Sequence, residues 1–334
     1  MSKDRVEIIV EIAQAHDGSL GILHSYIDAL ADLDIDAIKF QTHIASAESS
    51  IHEPFRINFS YEDKTRYDYW KRMEFTEAQW LEIKSHCEDR GKEFLSSPFS
   101  IEAVELLERI GVSRYKIASG EVSNFLMLDA IAKTGKPMIF SSGLSSIEEL
   151  NECFEYISNY DNKISLMQCT SSYPVRPDQL GLNMIAELKH AFNCPVGLSD
   201  HSGEIYAGLA AVSLGANMVE VHATFNKKMF GPDTSSSLDL DQLSSLVDGI
   251  RFIEDSLNHP LTKNEVNRET KKIFEKSLAV RKDLEKGHII AVEDLESKKP
   301  SGLGHSAKNY MQIVGKKLKR ELKRNEFINL NDVE

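Results

Sequence analysis

Two histidines, His201 and His222, each stand at the end of a short apolar run of the sequence. The runs read PVGLSD and NMVEV, and a segment of small residues with helical character separates them. If both runs are neighbouring strands of a barrel-type enzyme, the two imidazoles meet at the rim where the strands end. Two imidazoles can bind a divalent metal ion and leave its other positions to water and substrate oxygens. The pattern favours a metal site over a pair of hydrogen-bonding residues, and Asp200 is placed to orient a neighbour there.

Two lysines, Lys39 and Lys116, lie inside apolar runs that read AIKFQT and RYKIAS. A buried ammonium group needs an anionic partner or ligand, because its desolvation is costly. Hydroxyl groups stand near the ends of neighbouring runs, on Ser119, Ser142 and Ser199. Lysines with several hydroxyl groups are typical of a site that binds a phosphate or a carboxylate. Two alternatives stay open: a Schiff-base lysine, and structural pairing of the lysines with Glu11 or Glu121.

Three carboxylates, Glu11, Glu121 and Asp233, end or follow predicted strands. Such groups act as general bases or accept hydrogen bonds from the hydroxyl groups of a polyol substrate. Asp233 ends the turn-forming sequence FGPD, which would hold its side chain over the ends of the strands. An ordinary surface turn is the alternative interpretation of that sequence.

The elements that position these residues repeat along the chain as a short β-rich run, a polar end and a helical segment. Eight such runs occur, at Glu7–Ala13, Ala37–Thr42, Glu93–Pro98, Arg114–Ser119, Pro137–Gly143, Ile164–Ser171, Pro195–Asp200 and Asn217–Ala223. Segments between them, such as SLGILHSYIDALADL, space their apolar residues at the helical period. Eight strand–helix units within residues 1–260 predict an α/β TIM barrel with right-handed crossovers. An open doubly wound sheet is disfavoured because no Gly-x-Gly-x-x-Gly follows the first run.

In a TIM barrel the carboxyl ends of the strands meet on one rim, so the polar ends of the eight runs predict one shared site. One connection, residues 43–75, is long and rich in aromatic and charged residues. A loop of this kind is typical of a lid or a contact surface. A structural excursion that its aromatic side chains hold in place is an equal alternative.

The pattern changes after Pro260. Residues 261–276 resemble a charged linker, and residues 277–334 contain two similar stretches, DLEKGHIIAVEDLE and ELKRNEFINLNDVE. Each stretch has a turn, an apolar pair and an acidic end, so we predict a small β-rich domain over residues 277–334. Such a short domain has little core of its own and should dock on another surface.

Composition limits the partners and the compartment. The formal net charge of −13 opposes binding to a phosphate backbone, so nucleic acid is not an expected partner. No apolar run approaches the ~20 residues that span a bilayer, and the first residues lack the apolar core of a signal peptide. The four cysteines show no Cys-x-x-Cys spacing and are typical of reduced thiols. We therefore expect a cytoplasmic protein without a membrane partner.

Nine short motifs span nearly the whole barrel region in a fixed order. They are EIAQAHDGSLG, IKFQTH, SSPF, YKIASGE, SSG, CTSSYP, GLSDHS, EVHAT and GPD. These motifs resemble the sialic acid synthase family in sequence and spacing, and residues 277–334 resemble its antifreeze-like (SAF) domain. Members of that family condense phosphoenolpyruvate with an N-acetylated hexosamine to form a nonulosonic acid. The resemblance implies that this chain is such a carbon–carbon bond-forming transferase, which releases phosphate.

The resemblance also implies a role for each candidate residue. His201 and His222 match the ligands of a catalytic divalent metal ion, usually Mn²⁺, with Mg²⁺ or Co²⁺ as alternatives, and Glu11 matches a catalytic carboxylate. Positions that hold phosphoenolpyruvate are matched by Lys39, Lys116, Ser119, Ser142 and Ser199. Positions that bind the amino sugar are matched by Gln41, Glu121, Tyr173 and Asp233. Members are typically homodimers in which the SAF domain of one subunit caps the barrel of its partner.

The chain departs from the family pattern at four places. They are Ala15 before His16, Ser171 after Thr170, Ala223 after His222, and Lys299 before Pro300. The family has arginine at the position of Lys299, where it reaches the acyl group of the partner's sugar, and lysine lacks the planar fork of arginine. These departures keep the reaction class and leave the acceptor open among those of sialic, legionaminic, pseudaminic or related acids. A phosphosugar acceptor and an inactive sugar-binding relative are the alternatives.

Overall fold

The apolar runs of the first part of the chain form strands that are buried on both faces, as a helix-covered parallel sheet requires. The computed structural model describes residues 5–57, 59–261 and 267–334. The strands of its first unit are β1 (Glu7–Glu11), β2 (Ala37–Thr42), β3 (Glu93–Pro98), β4 (Tyr115–Ile117), β5 (Met138–Ser141), β6 (Ile164–Cys169), β7 (Val196–Asp200), β8 (Met218–Ala223) and β9 (Ser237–Leu238).

Strands β1 to β8 close into a barrel. Each strand pairs in parallel with the next, and β1 also pairs in parallel with β8. In this register Glu11 lies opposite Lys39 on one side and opposite His222 on the other. The short strand β9 pairs with the end of β8 and stands outside the closed ring. The predicted TIM barrel is confirmed.

Helices follow the strands, as the helical spacing of the intervening segments predicts. They are α1 (Leu20–Ala31), α2 (Ala45–Glu48), α3 (Arg66–Met73), α4 (Glu77–Asp89), α5 (Ile101–Ile110), α6 (Phe125–Ala132), α7 (Ile147–Ile157), α8 (Met184–Phe192), α9 (Tyr206–Ser213) and α10 (Leu240–Asn258). Ser19, Thr76 and Ser100 cap three of them by accepting the amide hydrogen three residues further on. Across the described ranges, no helix combines the length and the apolar character that crossing a membrane requires.

The barrel interior has an apolar floor beneath a polar layer. The floor consists of Ile9, Ala37, Leu95, Ile139, Met167 and Met218, all of them buried. Alternate residues of a strand face the same side, so the residue two positions further along each strand also points inward. Those positions hold Glu11, Lys39, Ser97, Ser141, Cys169 and Glu220. The strand sequences therefore place charges and hydroxyl groups in one buried layer towards the carboxyl ends.

The long connection between β2 and α4 contains the helices α2 and α3. Tyr69, Trp70 and Met73 are buried in it, and Phe55 and Phe59 pack against them. This aromatic packing is what one of the two predicted alternatives requires. The same connection also contributes side chains to the cavity at the barrel mouth.

The chain divides into two compact units, Met1–His259 and Pro260–Glu334. The second unit includes the helix α11 (Arg268–Phe274), which lies inside the predicted linker. Residues 262–266 of that linker are outside the described ranges. Strand β10 (Ser277–Val280) pairs antiparallel with β11 (Leu295–Lys298).

The two similar stretches of the second unit form matched halves. Leu284 and Leu322 exchange backbone hydrogen bonds of 2.8 and 2.9 Å, so the halves pair at equivalent positions. Each half then turns at a residue with positive φ, which is 91° at Gly287 and 71° at Asn325. The short 3₁₀ turns that end the two halves are Val292–Asp294 and Leu330–Asp332. The predicted repeat and the small β-rich domain are confirmed.

Candidate active site

Four charged side chains form a buried quartet inside the barrel: Glu11, Lys39, Lys116 and Glu220. Each is at most 4% exposed. Lys116 Nζ lies 2.9 Å from both carboxylate oxygens of Glu220. Lys39 pairs with Glu11 and lies 3.7 Å from Glu220. Two ammonium groups thus face two carboxylates, and the charges balance within the layer.

The carboxylate partners of the lysines differ in part from those predicted. Lys39 pairs with Glu11, but Glu121 pairs with neither lysine. β4 ends at Ile117, and Glu121 lies in the 3₁₀ turn that follows, where it accepts a hydrogen bond from Asn124. The partner of Lys116 is Glu220, which sequence reasoning missed. The signal for Glu220 was available, because it stands two residues before His222 on one strand and faces the same side.

Burial sets the protonation of the quartet. Loss of hydration lowers the pKa of Lys39 to about 7, although the negative charge of Glu220 acts to raise it. Burial by itself raises the pKa of Glu220, but the charges of Lys116 and Lys39 outweigh this effect and lower it. Lys39 can therefore exchange a proton near neutral pH while Glu220 stays ionised. An anionic ligand in this layer would be stabilised by both ammonium groups.

Hydroxyl groups stand at the ends of β4 to β7, and one of them contacts the quartet. Ser199 Oγ donates to Glu220 Oε1 at 3.1 Å, and Ser119 Oγ lies 2.9 Å from Ser171 Oγ. Ser142 Oγ accepts a hydrogen bond from a backbone amide of β6 at 3.3 Å. The predicted serines therefore stand at the ends of β4, β5 and β7, and Ser199 contacts the charged layer. Ser171, one of the departures from the family pattern, stands at the end of β6.

His201 and His222 lie with their ring centroids 5.1 Å apart. The Nδ1 atom of His201 lies 3.1 Å from the carbonyl oxygen of Thr170, to which it donates as a neutral ring, so its Nε2 keeps a lone pair. Burial lowers the pKa of both histidines to about 3, so both are neutral at neutral pH, the state that binds metal ions. Asp200, predicted to orient a neighbour, accepts hydrogen bonds from the amide and hydroxyl of Ser202.

The histidine pair can bind a metal ion only if other ligands complete its coordination. In the part of the chain that the structure describes, no group of three or more His, Cys, Asp or Glu side chains is arranged to hold one. Two neutral imidazoles would supply two bonds, and water or substrate oxygens would have to supply the others. This arrangement is typical of catalytic rather than structural metal sites.

A cavity of about 560 Å³ opens at the carboxyl ends of the strands. His222 lines it together with the four residues predicted to bind the amino sugar, Gln41, Glu121, Tyr173 and Asp233. Burial raises the pKa of Tyr173 and that of Glu121. Tyr173 is therefore a hydroxyl donor at neutral pH. The cavity offers both donors and acceptors to a ligand rich in hydroxyl groups.

Gln41 is held by a set of hydrogen bonds, here called the His43 network, that sequence reasoning missed. His43 Nδ1 donates to Glu48 Oε1 at 2.7 Å. His43 Nε2 lies 3.0 Å from Gln14 Nε2 and 3.2 Å from Gln41 Oε1, and the ring stacks on Trp70 at 3.9 Å. Because Glu48 keeps the proton on Nδ1, Nε2 accepts from the amide of Gln14, and this amide also donates to Gln41 Oε1. The alternation of Gln41 and His43 at the end of β2 was the available signal.

Two arginines of residues 43–75, Arg56 and Arg66, also line the cavity. Arg56 Nη2 donates to Asp233 Oδ1 at 2.6 Å, so the predicted sugar-binding carboxylate is held by a loop residue. The guanidinium of Arg66 lies 4.5 Å from the centre of the Trp70 ring. The sequence predicts a lid or contact surface for this connection. It does not predict which of its residues face the cavity, because a loop has no periodic pattern.

Lys299 lies in the second unit, where its ammonium is 4.7 Å from the centre of the Phe274 ring. Its neighbour Pro300 accepts a hydrogen bond from the hydroxyl of Ser277 at 2.9 Å. The contact of Lys299 with a substrate stays a prediction.

Comparison with known families gives this site a context. The sequence model of the NeuB family matches residues 26–261, and that of the SAF domain matches residues 275–334. The chain belongs to the NeuB family. The match confirms the resemblance that the motifs indicate, both for the barrel and for the C-terminal domain.

Several members of the NeuB family match this chain over almost its full length. N,N′-diacetyllegionaminic acid synthase of Campylobacter jejuni is 33% identical over 96% of this chain and 98% of its own. The human N-acetylneuraminate-9-phosphate synthase is 31% identical over 93% of this chain and 88% of its own. Among solved structures, the sialic acid synthetase of Leptospira borgpetersenii has a TM-score of 0.71 at 29% identity, and the match covers 80% of this chain and 90% of that one.

Proposed function

We propose that the chain is a nonulosonic acid synthase, which condenses phosphoenolpyruvate with an N-acetylated hexosamine and releases phosphate. The observation that carries the proposal is the buried quartet beside the neutral histidine pair in a NeuB-family barrel. Similar proteins are named legionaminic, pseudaminic and N-acetylneuraminate-9-phosphate synthases. The reaction forms a carbon–carbon bond, so the protein is a transferase.

Phosphoenolpyruvate carries a phosphate and a carboxylate, and both would bind in the charged layer. Lys39 and Lys116 supply positive charge there, and the binding of an anion offsets the desolvation of their ammonium groups. Charge-assisted hydrogen bonds to the phosphate would come from the hydroxyl groups of Ser119, Ser142 and Ser199. Their positions at the ends of β4, β5 and β7 support this assignment.

The proposed bond-forming step begins when carbon 3 of phosphoenolpyruvate attacks the aldehyde carbon of the open-chain sugar. The aldehyde oxygen takes the electron pair and a proton, and positive charge develops at carbon 2. Water adds to carbon 2, and Glu11 accepts the proton that this water loses. The bond between carbon 2 and the phosphate oxygen then breaks, a keto group forms, and phosphate leaves. Glu11 is held for this role because its Oε1 accepts the amide hydrogen of Ala13 at 2.7 Å.

His201 and His222 would hold a divalent metal ion, with Mn²⁺ as the first candidate and Mg²⁺ or Co²⁺ as alternatives. When bound, the ion supplies Lewis-acid polarisation of the sugar aldehyde. Support comes from the burial and neutrality of both rings, and from the backbone hydrogen bond that orients His201. Tyr173 packs 4.1 Å from the His201 ring and restricts its motion.

The acceptor would bind above the histidines, in the cavity. Its hydroxyl groups need donors and acceptors, and these would be supplied by Gln41, Glu121, Tyr173 and Asp233. The His43 network orients Gln41 through the amide of Gln14, and Arg56 orients Asp233. The product would then be a sialic acid or one of its legionaminic or pseudaminic relatives.

We further propose a cytoplasmic homodimer in which the SAF unit of one subunit caps the barrel of its partner and brings Lys299 to the acceptor. The second unit exposes several large apolar side chains, which is typical of a contact surface. Their exposed fractions are 57 to 65%, at Ile273, Phe274, Leu303 and Met311.

Phosphate release tests the proposed function. The purified protein is incubated with phosphoenolpyruvate, Mn²⁺ and a panel of acceptors that contains N-acetylmannosamine, its 6-phosphate and a diacetamido-trideoxyhexose. We expect one equivalent of phosphate for each nonulosonic acid formed, and no release without an acceptor. If every acceptor fails to release phosphate, the synthase proposal is refuted.

A further inference from the structure

We infer that Arg66 selects an uncharged acceptor sugar by donating a hydrogen bond to the carbonyl oxygen of an N-acyl group on that sugar. Arg56 acts beside it as a positioning residue. The inference rests on the proposed function, since it assigns a role in binding the acceptor of that reaction.

The guanidinium of Arg66 is largely buried and incompletely satisfied. Its side chain is 16% exposed, and its centre lies 4.5 Å from that of the Trp70 ring. Within the described part of the chain its buried Nε has no hydrogen-bond partner, and the Oε1 atom of Glu53 is 3.5 Å away. A buried donor without an acceptor is unfavourable. Nε is shielded from the cavity, so the donors that a ligand meets are the Nη groups of Arg66, which make no hydrogen bond within the described residues.

Glu53 compensates the charge of Arg66 without satisfying its Nε–H. The carboxylate of Glu53 already accepts a hydrogen bond from Trp70 Nε1 at 3.1 Å and another from the hydroxyl of Ser49. These two contacts hold it on the Trp70 side. The Nη groups of Arg66 are therefore available to a ligand that is itself uncharged.

Arg56 joins two of the residues proposed to bind the acceptor. Its Nη2 donates to Asp233 Oδ1 at 2.6 Å and to the carbonyl oxygen of Pro232 at 3.2 Å. Its guanidinium also lies 4.2 Å from the centre of the Tyr173 ring. Tyr173 follows β6 and Asp233 follows β8, so Arg56 fixes two strand-end loops relative to each other.

The charges of the cavity oppose a phosphorylated acceptor. Its described lining contains four carboxyl groups and two guanidinium groups, namely Glu48, Glu53, Glu121 and Asp233 against Arg56 and Arg66. Asp233 neutralises Arg56, and Glu53 compensates Arg66. A phosphate group at this level would meet an excess of carboxylates, and like charges brought together are strongly unfavourable.

The apolar part of the lining matches an acyl group. Phe99 and Leu144 line the same cavity as Arg66. An N-acyl group presents one carbonyl oxygen and one methyl group, so a cavity lined by a guanidinium group and by apolar side chains can recognise both of its parts. A hydroxyl group would use the donor but leave the apolar surface without a partner.

The test compares acceptor use by the wild type, Arg66→Met and Arg66→Lys. Methionine keeps an apolar chain over Trp70 and removes the donors, whereas lysine keeps the charge and lacks the planar guanidinium with its Nη donors. The probes are N-acetylmannosamine, a diacetamido-trideoxyhexose, mannosamine and N-acetylmannosamine 6-phosphate. Lys71→Met, on the same helix with a side chain 62% exposed, is the matched control.

We expect the wild type to prefer the N-acylated, unphosphorylated probes. Arg66→Met should lower kcat/KM for these probes by about 10- to 100-fold and leave the KM of phosphoenolpyruvate unchanged. Its rate with mannosamine should change little, because that sugar lacks the acyl group. Arg66→Lys should resemble Arg66→Met, and Lys71→Met should resemble the wild type.

Three outcomes would overturn the inference. They are an unchanged kcat/KM in Arg66→Met, an equal loss with mannosamine, and a wild type that works best with the 6-phosphate. If no probe releases phosphate, the proposed function fails. The role of Arg66 is then tested separately, by measuring the binding of N-acetylmannosamine to the wild type and to Arg66→Met with calorimetry. At least about tenfold weaker binding to the variant would then support the role of Arg66, and equal binding would overturn it.

Discussion

The buried quartet and the mouth of the cavity obtain their charges from different parts of the chain. The quartet residues lie on β1, β2, β4 and β8 and are at most 4% exposed. Arg56, Arg66 and Glu53 at the mouth belong to one long connection, and their side chains are 16 to 38% exposed. Strands thus position the groups proposed to act on phosphoenolpyruvate, and loops position those proposed to select the acceptor. The reaction can stay constant while the acceptor changes.

The two regions should also differ in how much a substitution lowers the free energy of unfolding. Removing one member of a buried ion pair leaves an unpaired charge in a desolvated site and typically costs about 3–5 kcal/mol. Breaking a partly exposed pair typically costs about 0–1 kcal/mol, because water screens the charge that remains. Substitutions in the quartet should therefore affect folding and activity together, and those at the mouth should affect mainly the choice of acceptor.

Lys116→Met should have the largest effect. It removes the ammonium group that lies 2.9 Å from both oxygens of Glu220 and leaves that carboxylate in a buried layer. We expect the free energy of unfolding to fall by about 3–5 kcal/mol and the rate of phosphate release to fall by at least about 10²-fold. Urea denaturation and the phosphate assay measure the two effects. Lys133→Met, at a side chain 65% exposed, is the control, and equal stabilities of the two variants would contradict the comparison.

His222→Ala should abolish metal-dependent turnover while the chain stays folded. The imidazole is buried but neutral, so its removal leaves no unpaired charge in the layer. We expect phosphate release to fall by at least about 10³-fold and the circular dichroism spectrum to be retained. Binding of Mn²⁺, followed by calorimetry, should weaken in parallel. Full activity in this variant would exclude the proposed ligand role of His222.

Acidification should destabilise the barrel when metal is removed by a chelator. Burial lowers the pKa of His16, His201 and His222 to about 3, so below pH 6.5 the unfolded chain binds protons that the folded chain does not. Each histidine then costs about 1.4 kcal/mol per pH unit as the pH falls from about 6 to 4. Burial raises the pKa of Asp200 to about 6, and this group acts in the opposite sense over the same range.

The net loss of stability should therefore be about 3 kcal/mol per pH unit, measured by urea denaturation between pH 6 and pH 4. His222→Ala should reduce this slope by about 1.4 kcal/mol per pH unit, because one of the buried neutral imidazoles is absent. A slope that is the same in the variant and the wild type would contradict the assignment of His222 as a neutral buried ring.

Strand periodicity explains why much of the quartet layer could be predicted from the sequence. Lys39, Lys116 and His222 are polar residues inside apolar runs, and this local conflict marks them as functional. Glu220 carries the same signal, but its partner Lys116 is 104 residues away. Their pairing depends on the closure of the barrel, which brings distant strands to one interior. The local pattern therefore predicts the residues better than it predicts their partners.

The cavity residues that could not be predicted from the sequence lie in loops. Arg56, Arg66 and Glu48 belong to a connection whose path depends on the packing of its own aromatic side chains, and loops have no period that shows which residue faces the cavity. Glu121 illustrates the same limit at a strand end. β4 stops at Ile117, so the turn that follows places Glu121 on the cavity wall instead of beside a lysine.

Glu48→Gln should have the smallest effect and would sharpen the separation of the two regions. Glu48 accepts a hydrogen bond from His43 Nδ1 at 2.7 Å, and a neutral amide forms a weaker bond than a carboxylate does. His43 would then hold Gln14 less firmly, and through it Gln41. We expect the KM of the sugar to rise about 3- to 5-fold, with kcat and the KM of phosphoenolpyruvate unchanged. Glu102→Gln, on the exposed side of α5, is the control. A rise in the KM of phosphoenolpyruvate would show that the mouth and the quartet act as one site.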